Sequence, residues 1–157
     1  MLQHRRLFLD YGKRNTISDI IEEIYMQKII QDYTESINLQ YPKYNECTAH
    51  CTELFTELFI YDYNDFPSEK KSMRYVKSVL KGIITYVFTN VGVKNYLKMI
   101  IGFFDLPEVK DFFTSAKIDT EKLYNIIDCI ESRIIYWQGF EGVAPEKHLK
   151  HLLELLD

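Results

Sequence analysis

Apolar residues recur every three to four positions along most of this chain, which is the spacing of an amphipathic α-helix. A first helix is predicted to begin after Thr16, which can cap it together with Asp19 three residues later. Its apolar positions are Ile17, Ile20, Ile21, Ile24, Met26, Ile30, Tyr33 and Ile37. Pro42 lies in the break that follows, and a second helix is predicted from near Asn45. That helix carries Cys47, Cys51, Leu54, Phe55, Leu58 and Phe59 at the same spacing.

The next helix is predicted to have one apolar face and one basic face. Residues 61–67 are predicted to form a turn or a short helix, and Ser68 can cap the helix that follows. Its apolar stripe consists of Met73, Val76, Leu80, Ile83, Ile84 and Val87. Its basic stripe consists of Lys70, Arg74, Lys77 and Lys81. This division is typical of a helix that packs on a core and exposes its other side.

A helix that is apolar on all sides follows an interruption at residues 90–92. It is predicted to restart near Lys94 and contains Tyr96, Leu97, Met99, Ile100, Ile101, Phe103 and Phe104. In a protein of this length, such a helix is expected to be buried at the centre of the fold. Pro107 ends or kinks it and can start a short helix. Asp119 can cap a further helix, and Pro145 can open the last one.

These elements predict one all-α domain that spans residues 1–157. We expect a compact bundle of about seven helices around one buried central helix. Residues 1–15 precede the first predicted helix and are expected to form an arm that is either flexible or part of an interface. Hydrophobic residues make up 46% of the chain, which is too high a share for a disordered protein.

Aromatic content and charge add two open questions. Aromatic residues make up 15% of the chain, with 12 Tyr and 10 Phe, and they either fill a core that is poor in alanine or anchor a partner. The net charge is −4, so no nucleic-acid partner is expected. The charge is nevertheless uneven, because an acidic stretch at residues 16–65 precedes a basic stretch at residues 68–98. Binding of nucleic acid or acidic lipid by the basic helix face is therefore a further hypothesis.

The sequence contains no pattern typical of catalysis or of metal binding. Cys47, His50 and Cys51 lie within one helical turn but lack a fourth ligand, so the cysteines are expected on a buried helix face. His148 and His151 are three residues apart and are expected to be exposed. No phosphate-binding glycine loop and no nucleophile motif is present. We therefore expect no enzymatic activity, no catalytic residues, no cofactor and no metal.

The cysteine count and the hydropathy pattern predict a cytoplasmic protein. Three cysteines cannot form a disulfide framework and fit a reducing compartment. The first residues lack the apolar core of a signal peptide. The longest apolar stretch, at residues 99–104, is far too short to span a membrane. No transmembrane anchor is expected.

Residues 87–104 carry a resemblance to a known family. They read VFTNVGVKNYLKMIIGFF. This stretch resembles the first homology region of the Bcl-2 family, in which a Phe, a polar turn with Gly and the run Asn-Trp-Gly-Arg precede an apolar helix. Phe88 stands at the phenylalanine, Gly92 at the turn glycine, and residues 95–98 at the Asn-Trp-Gly-Arg run.

Two weaker matches accompany this one. Residues 137–142 look like the second homology region, where a Trp precedes a glycine-rich turn and an aromatic residue. The helix at residues 47–60 stands where the family has its own BH-3 helix, with Cys51 at the small position and Thr52 at the usual Asp. The resemblance covers nearly the whole chain by the order of its elements. At the residue level it is specific only for residues 88–104.

The resemblance implies a surface groove that binds the BH-3 helix of pro-apoptotic Bcl-2 family proteins. Lys98 would replace the groove arginine that pairs with the aspartate of the ligand, keeping the charge but losing the bidentate geometry. Asn95 would hydrogen-bond the same turn of the ligand, and Tyr96 would support the groove floor. The implied pocket residues are Leu54, Leu58, Ile83 and Val87.

Leu97 departs from the family pattern, because the family has glycine there to let the ligand helix approach closely. The departure indicates a divergent viral member, an anti-apoptotic protein of the host-cell cytosol or of the mitochondrial periphery. A leucine would also reshape or block the groove. The alternative is therefore a scaffold or signalling inhibitor with the same fold, which acts through self-association as a homodimer.

Overall fold

A computed structural model describes residues 16–40, 45–90, 93–137 and 145–157, and their regular elements are helical. Within these ranges the α-helices are α1 Ile17–Gln40, α2 Asn45–Glu57, α3 Glu69–Asn90, α4 Val93–Asp105, α5 Pro107–Ser115, α6 Thr120–Trp137 and α7 Pro145–Glu154. A short 3-10 helix at Tyr63–Asp65 lies between α2 and α3. The prediction of an all-α bundle is thereby confirmed. None of the helices in the described ranges combines the length and the apolar character needed to cross a membrane.

The caps predicted from the sequence fix three of the helix starts. Thr16 Oγ1 accepts a hydrogen bond from the backbone N–H of Asp19 at 3.0 Å, and the Asp19 carboxylate accepts one from the N–H of Thr16 at 3.3 Å. Ser68 and Asp119 each accept the backbone N–H three residues later, at 3.2 Å and 3.0 Å. Each cap satisfies an N–H group that has no partner inside its helix.

The two faces of α3 separate as the sequence predicted. Its apolar stripe, from Met73 to Val87, is buried in the core. On the opposite face Lys70 and Arg74 are exposed, and Lys77 and Lys81 are partly exposed. Helix α3 packs against α2, α4 and α7 through the buried face, so the basic face is left toward solvent.

Helix α4 is buried over most of the part whose side chains the structure describes, residues 98–105. Met99, Ile100, Phe103 and Phe104 are buried there, while Lys98 is exposed. The helix packs against α3, α5 and α6. A position at the centre of the whole bundle stays a prediction.

Rings of the described aromatic residues form a continuous cluster inside the core. Phe55 of α2 stacks on Phe103 of α4 with ring centroids 4.1 Å apart. Phe104 stacks on Phe113 of α5 at 5.7 Å, and Phe59 meets Phe112 edge to face at 4.8 Å. These rings join α2, α4 and α5, so this part of the aromatic excess fills the core.

Three buried or half-buried tyrosines bond to the ends of helices. Tyr75 donates to the carbonyl of Glu57 at 2.5 Å, and Tyr63 donates to the carbonyl of Leu58. Both carbonyls lie at the C-terminal end of α2, where helical carbonyls lack partners within the helix. Tyr124 does the same for α4, donating to the carbonyl of Phe104 at 2.8 Å.

The apolar residues of α1 form two stripes, although their spacing in the sequence was interpreted as one continuous pattern. Each residue of an α-helix turns the side-chain direction by about 100°. Met26, nine positions after Ile17, therefore points to the opposite side. Met26 and Ile30 are buried, whereas Ile17, Ile21 and Ile24 are 78%, 63% and 60% exposed. Only the second stripe of α1 belongs to the core.

Candidate functional site

The candidate groove involves three helices that pack in series. Helix α2 packs against α3, which ends at Asn90, and α3 packs against α4, which begins at Val93. This order places an amphipathic helix before an apolar helix, as the sequence predicted, whereas the predicted interruption at residues 90–92 lies largely outside the described residues.

The predicted pocket residues all belong to the core. Leu58, Ile83 and Val87 are 0–1% exposed, and Leu54 is half-buried and packed against the same cluster. In this conformation their side chains are enclosed by neighbouring helices. A ligand helix can reach them only if α2 and α3 move apart.

The predicted polar residues of the groove lie on α4. The side chain of Lys98 is exposed, directly before the buried Met99 and Ile100. The side chains of Asn95, Tyr96 and Leu97 lie outside the described residues, so their roles stay predictions.

Contacts at the surface hold α2 against its neighbours. The rings of His50 and Tyr86 lie 4.2 Å apart, joining α2 to α3. On the other side of α2, the Thr52 hydroxyl donates to the Thr34 hydroxyl of α1 at 3.1 Å. Cys51, which lies between His50 and Thr52 in the sequence, is a small residue that is buried in the core. The candidate BH-3 helix of this chain is therefore docked on its own bundle.

The described side chains of the possible metal ligands His50 and Cys51 do not share one environment. Cys51 is buried while its neighbour His50 is exposed, and the side chain of Cys47 lies outside the described residues. Among the residues that the structure describes, no three His, Cys, Asp or Glu side chains are placed to hold a metal ion.

The expectation that His148 is exposed was wrong. His148 is 8% exposed, because it lies one helical turn before Leu152, which packs into the core on the same face of α7. Burial lowers its pKa below the ordinary value, and the nearby charge of His151 lowers it further. The spacing of four residues from His148 to Leu152 was the signal in the sequence. The lysines beside it concealed that signal.

Comparison of the chain with protein-family models, with curated proteins and with solved structures gave no match. The Bcl-2 resemblance thus rests on the residues between Phe88 and Phe104 and on the order of the helices.

Proposed function

We propose that this protein is an anti-apoptotic Bcl-2-like protein that binds the BH-3 helix of pro-apoptotic proteins beside α3 and α4. The supporting observation is the exposed side chain of Lys98 next to the buried apolar residues of α4, the helix that follows the amphipathic α3. A helix-binding groove needs this combination, because it places a charged partner for the ligand aspartate at the edge of an apolar surface.

Binding at this site requires a conformational change. The pocket residues Leu58, Ile83 and Val87 are buried, and exposing apolar surface costs roughly 25 cal/mol for each Å². The apolar face of an incoming helix covers the same surface again. The half-buried Leu54 marks the place on α2 where the ligand first meets an apolar side chain. The measured affinity is then reduced by the small fraction of molecules that are open.

Titration with a panel of fluorescent BH-3 peptides tests the proposal. We expect at least one peptide to bind, with saturation in fluorescence anisotropy. If no peptide binds at tens of micromolar protein, the proposal is wrong.

A charge exchange tests the role of Lys98. The substitution Lys98→Glu should weaken peptide binding by about tenfold or more, because it places two carboxylates against each other. A peptide whose aspartate is changed to lysine should bind Lys98→Glu better than it binds the unaltered protein. Lys117→Glu, at another exposed lysine, is the matched control and should leave both affinities unchanged. Equal effects of the two substitutions would show that Lys98 is not at the site.

Self-association is a second candidate function, favoured by the outer face of α1. Ile17, Ile21, Ile24 and Tyr25 are all more than half exposed on this helix. Apolar residues grouped in this way are typical of an interface, and a second copy of the same chain can cover them symmetrically. Together with the buried pockets of the groove, they favour a scaffold that acts as a homodimer.

Sedimentation equilibrium distinguishes this second candidate. We expect a dimer whose population rises with protein concentration and falls in the double variant Ile21→Glu/Ile24→Glu. Leu39→Glu is the matched control, since Leu39 is exposed near the other end of α1. A monomer at high micromolar concentration would contradict self-association.

A further inference from the structure

A basic cleft lies on the side of the bundle formed by α3, the start of α6 and residues 156–157. Its volume is about 630 Å³, within the range of sites that hold small molecules. The floor includes the apolar side chains of Met73 and Leu156, which are buried. The sequence indicated the basic stripe of α3, but it gave no sign that α6 and the last residues turn that stripe into a cleft.

Cations outnumber carboxylates in this cleft by five to three. The cationic residues are Lys70, Arg74, Lys77, Lys81 and Lys122. Two of the three carboxylates already have bonds: Asp119 accepts the N–H of Lys122 as the cap of α6, and Asp157 pairs with Lys81 at 2.5 Å. The carboxylates therefore compensate only part of the positive charge.

The ammonium groups of three lysines crowd together in the cleft. The pKa of Lys77 lies below its ordinary value, first because the group is desolvated and then because Lys122 and Lys81 are positively charged. The carboxylate of Asp157 acts in the opposite direction and raises the pKa of Lys77. A bound anion would remove this repulsion, so the cleft favours a ligand that carries concentrated negative charge.

We propose that this cleft is a binding site for a compact, phosphate-bearing anion, held by Lys77, Lys81 and Lys122. A phosphate group brings nearly two negative charges and several acceptor oxygens to one point, which matches converging lysines better than a single carboxylate does. An extended nucleic-acid strand fits less well. Glu69 and Asp119 also line the cleft and repel a continuous row of phosphates, and the whole chain is acidic.

Calorimetric titration with inositol trisphosphate tests the site, with the double variant Lys77→Gln/Lys122→Gln as the main comparison. We expect the unaltered protein to bind and the variant to bind at least tenfold more weakly. The matched control is Lys28→Gln/Lys117→Gln, which removes the same charge from exposed lysines that do not line the cleft. Thermal melts establish that each variant is folded. No binding at millimolar ligand, or an equal loss in the control, would overturn the proposal.

Vesicle experiments distinguish a soluble ligand from a lipid headgroup. Flotation with phosphatidylcholine vesicles that contain phosphatidylinositol bisphosphate, and its competition by inositol trisphosphate, would assign the site to a headgroup. Binding of inositol trisphosphate without flotation would assign it to a soluble phosphate compound. Tighter binding of a single-stranded oligonucleotide than of inositol trisphosphate, lost in Lys77→Gln/Lys122→Gln, would assign the cleft to nucleic acid and contradict a compact-anion site.

Discussion

Gly102 gives the hydroxyl of Tyr33 room to reach the backbone of α4. The Tyr33 hydroxyl donates to the carbonyl of Met99 at 2.6 Å. A Cβ atom at position 102 would lie 2.6 Å from that same oxygen but 3.6 Å or more from the ring carbons. The hydroxyl alone therefore excludes a side chain here. Desolvation, together with the charge of Asp105, raises the pKa of Tyr33, so the hydroxyl keeps its proton and acts as a donor.

The effect of Gly102→Ala on the stability of the protein should change sign when the hydroxyl of Tyr33 is removed. Gly102→Ala should destabilise the unaltered protein, because the methyl group meets the Tyr33 hydroxyl. In Tyr33→Phe the same substitution should stabilise by about 0.5–1 kcal/mol, the gain of alanine over glycine in a helix. Urea unfolding of the four proteins measures both values. Gly82→Ala in α3, where a Cβ meets nothing within 4 Å, should be stabilising in both backgrounds. The same cost of Gly102→Ala in both would contradict this account.

The burial of His148 predicts a stability that depends on pH. Its pKa is lowered in the folded protein, chiefly by desolvation and then by His151, so the unfolded chain binds a proton there more readily. Stability should therefore fall as the pH drops from about 6.5 toward the lower folded pKa. The melting temperature of His148→Gln should vary less over this range than that of the unaltered protein. The same pH dependence in His148→Gln and in the unaltered protein would contradict this account.

The repulsion between Lys77 and Lys122 makes a separate prediction at the residue scale. Lys122→Gln should raise the pKa of Lys77 toward its ordinary value, measured by NMR of the lysine side chains. Because the folded pKa is depressed, stability of the unaltered protein should increase with pH between that pKa and about 10.4, and less so in the variant. Lys117→Gln should move neither quantity. A pKa of Lys77 that does not respond would contradict the crowding.

At the scale of single elements, α1 differs from an ordinary amphipathic helix because it has two apolar stripes. Its core stripe and its exposed stripe lie on opposite sides, and the shift between them falls between Ile24 and Met26. The helix packs on α2 through the second stripe, where Met26, Ile30 and Thr34 are buried. Its first turns contribute apolar surface without contributing to the described core.

The two stripes of α1 should respond differently to substitution. Ile30→Ala should cost about 2–5 kcal/mol in the free energy of unfolding, because Ile30 is fully buried. Ile21→Gln should change it by no more than about 0.5 kcal/mol, as is usual for exposed sites. Chemical denaturation at a protein concentration that keeps the chain monomeric measures both. A large loss for Ile21→Gln would place the outer stripe in the core.

The starts of the helices could be predicted from the sequence more reliably than their burial. Thr16, Ser68, Asp119 and Pro107 act locally, through a side-chain oxygen or a fixed φ angle, and each acts where it was predicted. Burial depends on what packs from elsewhere in the chain. The exposure of the outer face of α1 and the burial of His148 could therefore not be predicted from local sequence patterns.

The same limit applies to the candidate sites. The basic stripe of α3 was visible as a spacing of lysines, but the cleft needs Lys122 of α6 and Asp157 at the other end of the chain. The pocket residues follow from the resemblance alone, and a resemblance carries no information about whether a groove is open. Their burial follows from the contact of α2 with α3, a long-range contact that no single motif encodes.

At the scale of the whole molecule, the described surfaces are suited to binding. The outer face of α1 is apolar, and the basic cleft is cationic. The surface around Lys98 combines an exposed charge with neighbouring apolar residues. Most of the aromatic side chains that the structure describes are buried, and rings from α2, α4 and α5 stack on one another there. The two proposed ligands, a helix and a compact anion, are recognised by different residues, so substitutions at one site test it without altering the other.

The packing of α2 on α3 also determines how fast a helical ligand can bind. Leu58, Ile83 and Val87 become accessible only while the two helices are apart, so association waits for an opening of the free protein. In stopped-flow mixing, the observed rate should therefore level off at high peptide concentration, at the rate of opening. His50→Ala removes the ring contact with Tyr86 that closes the helix pair, and it should raise that plateau. A rate that rises linearly with peptide would mean that the groove stands open in solution. Under the proposed function, the opening rate of the α2–α3 pair sets the shortest time in which a BH-3 helix can be bound.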